Sequence, residues 1–347
     1  MPATHFGLDI GTHSIKIVEI ESGPKPVLLA TGYTLTPPKA LVSESPQDFE
    51  ALANAIKQLI IDAKIETNRV VASLPESQIF TRVIEFPQVS DKDLASSIRF
   101  EAEQYIPVPL SEVRLDYQVI TRSESKMEVL IVAAPTLLVN KFMQVFELAH
   151  LEPVALETEI LATSRTVNNA GYSDTTLVIS LGYKTTDICI VDQGVVIFTR
   201  SIATGGAVLA RAVAQDLGFE LDQAEQYKRT YGLDENQMEG KVVAAIKPVF
   251  DIVVDEIRRA IAYFTNKKPD KAIKKVIVAG GTAKLPGLTQ YLSNNLGISV
   301  ELINPWLNIQ VNHDIHSVNS GGFNNIQTYL QAEAPTYTVA VGLALRS

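Results

Sequence analysis

The chain has 347 residues, enough for two domains that each bury a core. Its formal charge of −9, from 30 basic and 39 acidic residues, leaves no cationic surplus to neutralise phosphates and argues against a nucleic-acid partner. Cys189 is the single cysteine, which excludes an intramolecular disulfide and a cysteine-built zinc site; in the apolar run Ile188-Cys189-Ile190-Val191 it reads as a small core residue.

The N-terminus enters a strand pattern without a charged leader, and no apolar run reaches the length of a membrane span, which predicts a cytoplasmic protein. Residues 6–20 (FGLDIGTHSIKIVEI) and 177–191 (LVISLGYKTTDICIV) read as one unit repeated. In each, an apolar run meets a glycine turn rich in hydroxyls and a β-branched run follows, the pattern of a hairpin with a polar tip. Residues 25–34 and 195–202 continue as further strand. Phe49, Leu52, Ala53, Ile56, Leu59, Ile60 and Ala63 keep the spacing of one helical face behind Pro46. Arg69–Leu74 is a compact strand that Pro75 ends.

Residues 77–155 read as a separate α+β unit: strands at 78–86, 114–121 and 128–133, a helix from the Ser90/Asp93 cap through Tyr105, and a returning helix at 137–149. Further on, helices are predicted at 207–217, 222–231 and 249–264, and a buried strand at Lys275–Ala279 runs into Gly280-Gly281. Residues 306–336, polar with Asn-rich and Ser-Gly-Gly stretches, are predicted to form a long loop with at most one short helix. His313 and His316, three apart in that loop, have no cysteine near them and give no metal spacing.

Three segments carry phosphate and base chemistry. In Asp9-Ile10-Gly11-Thr12-His13-Ser14-Ile15-Lys16, Gly11 allows a tight turn whose N–H groups form an anion concavity. Ser14 adds a donor there, Lys16 a countercharge, and Asp9 a ligand for hydrated Mg²⁺. Gly182-Tyr183-Lys184-Thr185-Thr186 offers the same chemistry from the other half, so the two loops could clamp a phosphate chain. Gly280-Gly281-Thr282-Ala283 offers backbone against which a flat base could lie. Singly, each also reads as an ordinary turn; the combination is more specific than its parts.

The loops look like the two phosphate motifs and the adenosine motif of the actin-like ATPases, which include actin, sugar kinases, DnaK-type chaperones and FtsA. The opening GLDIGTHSIKIVEI, with EAEQYIPVPLSEV at 101–113, VAGGTAKLPGL at 278–288 and NPWLNI at 304–309, is similar to the PilM family of type IV pilus assembly proteins. The resemblance implies an α/β actin-like ATPase fold: two ribonuclease-H-like lobes and an FtsA/PilM-type extra α+β subdomain. The first lobe would be 1–76, closed by about 156–170, and the extra subdomain 77–155. The second lobe would be 171–206 with 272–347, and 207–271 its helical subdomain.

ATP with Mg²⁺ would lie between the lobes. Gly11, Thr12, His13, Ser14 and Lys16 would meet phosphate from one side, and Gly182, Thr185 and Thr186 from the other. Glu225 and Lys228 match ribose-holding positions; Gly280, Gly281, Thr282 and Lys284 would line the adenine. Asp9 and Glu159 match catalytic acids. The second phosphate motif usually opens with aspartate; here the residue is Ser180, and Asp187, on the outgoing strand, is not expected to reach the same point. The implied function is an ATP-binding adaptor with slow or absent hydrolysis. It would bind the N-terminal cytoplasmic tail of a PilN-like inner-membrane protein, alongside other pilus assembly proteins, at the inner face of the membrane. The alternatives are a sugar kinase of the same fold and an FtsA-like filament protein. The latter normally carries a C-terminal membrane helix, whereas this sequence closes on VGLALRS.

Overall fold

The computed structural model describes residues 4–40, 42–318 and 325–346. β1 (Phe6–Ile10), β2 (Ser14–Glu21) and β3 (Val27–Leu35) form an antiparallel meander. α1 (Pro46–Asp62) begins on its proline, where no intrahelical N–H is lost, and buries Phe49, Leu52, Ala53, Ile56 and Leu59. β4 (Arg69–Leu74) then pairs parallel with β1.

β5 (Phe80–Pro87), α2 (Asp91–Ala102), β6 (Val113–Arg122) and β7 (Lys126–Pro135) form a subdomain with strand order β5-β7-β6. Its own core includes Ile84, Leu94, Ile98, Met127, Val129 and Ile131. Ser90 Oγ accepts the Asp93 N–H at 3.2 Å and caps α2, which stops at Ala102, short of the expected Tyr105.

The next elements, α3 (Thr136–Ala149) and β8 (Glu152–Thr158), correct the expected boundary at 155. Leu138, Phe142, Val145, Phe146 and Ala149 line one face of α3 and share a core with Phe49, Leu52 and Ile56 of α1. β8 pairs parallel with β4. Both therefore belong to the first lobe, and α4 (Glu159–Asn169) leads out of it.

β9 (Thr176–Leu181), β10 (Thr186–Asp192) and β11 (Val195–Ile202) repeat the meander. α5 (Gly206–Leu217), α6 (Leu221–Tyr231) and α7 (Lys241–Lys267) follow. α7 begins eight residues before the expected 249. Val242, Val243, Ala245 and Ile246 continue its buried face on the near side of Pro248, and that packing carries the helix through the proline. β12 (Lys275–Ala279), α8 (Leu288–Leu296) and β13 (Val300–Leu302) complete the second sheet. Its order β11-β10-β9-β12-β13 reproduces β3-β2-β1-β4-β8 of the first sheet, two antiparallel pairings and then two parallel ones. The short repeat seen in the sequence is thus the visible part of a duplicated fold.

The predicted loop at 306–336 contains a strand and a helix. β14 (Gln310–Val318) pairs parallel with β3, so it extends the first sheet rather than the second lobe to which 272–347 was expected to belong. It covers the edge of β3, and as an edge strand it lacks the apolar alternation that would have marked it. The Ser-Gly-Gly stretch at 320–322 and the His313 side chain lie outside the described residues. α9 (Ile326–Glu333), the turn Ala334–Tyr337 and α10 (Thr338–Ala344) pack Tyr329, Leu330, Tyr337 and Val341 against Val18, Ile20 and Leu28 of the first lobe.

The closing helix fits because its backbone comes very near its neighbours. A Cβ on Gly342 would lie 1.9 Å from the Ala162 carbonyl oxygen in α4. Gly342→Ala is expected to destabilise the protein by about 2 kcal/mol, as overpacking does. Urea unfolding of the variant checks this, and an unchanged midpoint counts against the close approach.

Candidate functional site

Both repeated hairpins end in the same turn. Gly11 N–H donates to Ser14 O at 3.1 Å, and Gly182 N–H donates to Thr185 O at 2.9 Å. The strand registers match as well, with Ile10 facing Ile15 and Leu181 facing Thr186. A Cβ at Gly11 would lie 2.9 Å from Ser14 O, too close for a side chain, so the turn requires glycine.

One pair back from the tip, Asp9 faces Lys16 and Ser180 faces Asp187. Directly opposed residues of antiparallel strands project to the same face of the sheet. Asp187 therefore stands beside Ser180 in the cleft, which corrects the expectation that it points elsewhere. The carboxylate missing from the incoming strand is carried by the outgoing one.

A cavity of about 840 Å³ lies between the lobes, within the size range of small-ligand sites. Asp9, Gly11, Thr12, His13, Ser14 and Lys16 line it from the first loop, and Gly182 and Thr185 from the second. Glu159, Glu225, Lys228, Gly280, Gly281, Thr282 and Lys284 complete the expected set. Thr186 is the exception. Its side chain is fully buried and its hydroxyl donates to Thr204 O at 2.6 Å, because strand alternation turns it away from the face that Thr185 and Asp187 share. The lining residues outside the expected site set include Asp187, Tyr183, Lys184 and Arg229. The aspartate could have been found from the hairpin register, and Tyr183 and Lys184 lie inside the second loop's motif; Arg229 carries no sequence signal.

The two loops touch across the cleft mouth. The His13 and Tyr183 rings stack with centroids 4.9 Å apart, and Arg229 Nη2 lies 3.4 Å from His13 Nε2. Burial, and then the Arg229 charge, lowers the His13 pKa, so the ring meets its neighbours neutral. Lys16 Nζ donates to Asp9 Oδ2 at 3.0 Å, and Ser73 Oγ to Asp9 Oδ1 at 3.3 Å. On α6, Lys228 donates to Glu225 Oε2 at 2.6 Å and to Gly206 O at 3.0 Å; its burial lowers its pKa. Thr282 Oγ1 donates to Gly182 O at 2.9 Å, tying the base-shelf turn to the second loop. Lys284 pairs with Glu333 of α9 at 2.5 Å.

Acids gather on the cleft floor. Glu76, which follows β4, is 4% exposed and its N–H donates to Glu159 Oε2 at 3.4 Å. Burial, and then the Asp187 charge, raises the Glu76 pKa to about 8. Burial raises Asp187 to about 6. Glu159 is also raised, by burial first and then by Asp187 and Asp9. Buried like charges cannot all ionise together, so this floor holds protons at neutral pH.

The family described as type IV pilus assembly protein PilM matches residues 7–347. The chain belongs to the PilM family. A solved PilM-PilN type IV pilus biogenesis complex is similar over the whole chain and 99% of its own, with 29% identity and a TM-score of 0.85. EutJ from Carboxydothermus hydrogenoformans shares the fold at 18% identity and a TM-score of 0.56, covering 99% of this chain and 89% of that one. Among curated proteins, the ethanolamine utilization protein EutJ of Escherichia coli is 31% identical over 43% of this chain and 47% of its own. The cell division protein FtsA of Neisseria meningitidis is 22% identical over 68% and 58%. The chain thus spans about half the length of the curated relatives it matches. The PilM relationship and these neighbours establish the actin-like ATPase fold.

The cleft of this PilM-family protein suits a nucleotide with Mg²⁺ in the chemistry of its donors. Thr12, Ser14, Lys16, Lys184 and Thr185 bring hydroxyls and ammonium groups to one place. Asp187 Oδ1 is buried and has no hydrogen-bond partner among the described residues, an acceptor that a hydrated cation would satisfy. No cage of three or more His, Cys, Asp or Glu side chains exists among the described residues. Mg²⁺ does not need one, since it keeps several waters and takes phosphate oxygens with one or two carboxylates.

Proposed function

We propose that this PilM-family protein is an ATP-binding adaptor of the inner-membrane pilus assembly complex. It binds the N-terminal cytoplasmic tail of a PilN-like membrane protein and turns ATP over slowly or not at all. The observation that carries the reading is the similarity, over the whole chain, to a PilM-PilN complex. No described helix is long and apolar enough to cross a membrane, so in this reading the membrane is reached through the partner.

Thr12, Ser14, Lys16, Thr185 and Lys184 hold the phosphates, Glu225 and Lys228 the ribose, and Gly280, Gly281, Thr282 and Lys284 the adenine end. Asp9 and Asp187 take the hydrated Mg²⁺. When bound, the nucleotide and its cation supply the charge that joins the two loops. This chain's own side chains already prepare that closure through the His13–Tyr183 stack. Slow turnover follows from the floor: burial, with Asp187 and Asp9 beside it, favours the protonated form of Glu159, which cannot accept a proton from water. Rapid single-turnover phosphate release, abolished by Asp9→Ala, overturns this part of the reading.

The tail is expected at the seam between the first lobe and the subdomain. Leu137, at the head of α3, and Phe100, on α2, leave 74% and 75% of their surface exposed. A Leu137→Asp/Phe100→Asp double variant should bind a synthetic PilN-type tail at least about tenfold more weakly, the effect of losing two apolar anchors. Fluorescence titration with and without ATP measures it. Binding equal to that of the parent removes this surface from the interface.

A further inference from the structure

A second cavity, of about 320 Å³, lies away from the cleft, where the subdomain meets the second lobe. Its walls are Thr81–Val83 of β5, residues 197–200 of β11, and Arg259, Tyr263 and Lys267 of α7. Four of these side chains are cations: Arg82, Arg200, Arg259 and Lys267. Among the described residues no carboxylate lines the cavity. Glu256, just behind it, pairs with both Arg200 and Arg259. Arg82 instead lies over the Tyr105 ring at 4.9 Å, and Lys267 has no ion pair among the described residues. Four cations against two carboxylates, Glu256 and the Glu85 of β5 that feels the Lys267 charge, leave a local positive excess in a chain of net charge −9.

We propose that this cavity is an anion site for a phosphate ester, separate from the nucleotide cleft. Guanidinium groups present forked donors that match phosphate oxygens, and those of Arg200 and Arg259 stand here with the Lys267 ammonium, with Arg82 at the rim over Tyr105. The Phe198 and Tyr263 rings, 5.3 Å apart, supply an apolar wall beside the charges. Such a wall strengthens the local field and accommodates the organic part of an ester. The site spans two bodies already joined by Lys268–Glu128 at 3.0 Å and by the Thr199 hydroxyl donating to Thr81 O at 3.1 Å. An occupant contacting Arg82 and Arg259 together ties the subdomain to the second lobe.

The test is calorimetric titration of the full chain with glycerol 3-phosphate, paired with co-sedimentation on phosphatidate-containing and neutral vesicles. The expected result is saturable binding that falls at least about tenfold in Arg82→Gln/Arg259→Gln and in Lys267→Gln, and persists in Lys16→Ala. Binding of the free ester assigns a soluble ligand; binding only to phosphatidate vesicles, lost in the same variants, assigns a lipid headgroup. All three arginine and lysine positions are exposed, so unchanged melting temperatures are expected to accompany the loss. No binding of either probe, or binding insensitive to these substitutions, overturns the proposal.

Discussion

Replacing Asp187 with asparagine is expected to lower single-turnover phosphate release by on the order of 10²-fold while changing nucleotide affinity by less than about threefold. Asp187 stands across the ladder from Ser180, and besides Thr185 the Ser201 side chain acts on its carboxyl. It is hydrogen-bonded by Thr185 Oγ1 at 3.2 Å on Oδ2, while Oδ1 has no hydrogen-bond partner in the geometry of the described residues. It is therefore the carboxylate in the second loop able to order a water or a hydrated cation. Burial raises its pKa to about 6, so the group is protonated below that pH and ionised above it. Release by the parent should consequently rise through pH 6, whereas the asparagine variant should show no such rise. Asparagine keeps the shape and one acceptor, which is why binding should persist. A variant rate equal to the parent's, or a parent rate independent of pH between 5 and 7, rules out this role.

Glu76→Gln is expected to stabilise the unliganded protein at pH 8 by roughly 3–5 kcal/mol and to leave it little changed at pH 4.5. The folded-state pKa, about 8, lies above the ordinary value of 4.5. Between those pH values the unfolded chain has released a proton that the folded chain retains, so stability falls as pH rises across the window. Asp187 acts in the same direction between 3.8 and about 6. Glutamine removes the Glu76 contribution, because it is neutral in both states and nearly the same shape. Urea unfolding at pH 5 and pH 8 measures the slope. An unchanged slope in the variant places the titrating group elsewhere.

These two residues differ in how far the sequence exposed them. Asp187 is visible in the sequence just after the second loop, but its distance along the chain from Ser180 hides its direction. Counting by ladder pairs, as Asp9 and Lys16 pair in the first hairpin, puts it in the cleft. Glu76 gave no signal at all. It follows a strand end beside Pro75, where an acid is ordinarily solvated, and only the packing of β11 and β5 around that turn buries it.

The sequence by itself determined the duplicated hairpins, the glycines of both turns, the amphipathic face of α1 and the family. These rest on local rules: strand alternation, helical spacing, and turns that exclude a Cβ. The tertiary structure alone decided what depends on neighbours distant in the chain. It gave α3 and β8 to the first lobe, and carried α7 through Pro248 on a continuous buried face. It placed β14 on the edge of β3, where a polar strand can satisfy its backbone on one side and water on the other. It turned Thr186 inward and gathered Asp9, Glu159 and Asp187 from three separate segments. The shared protons of that floor arise from proximity and burial, which exist only once the lobes have packed.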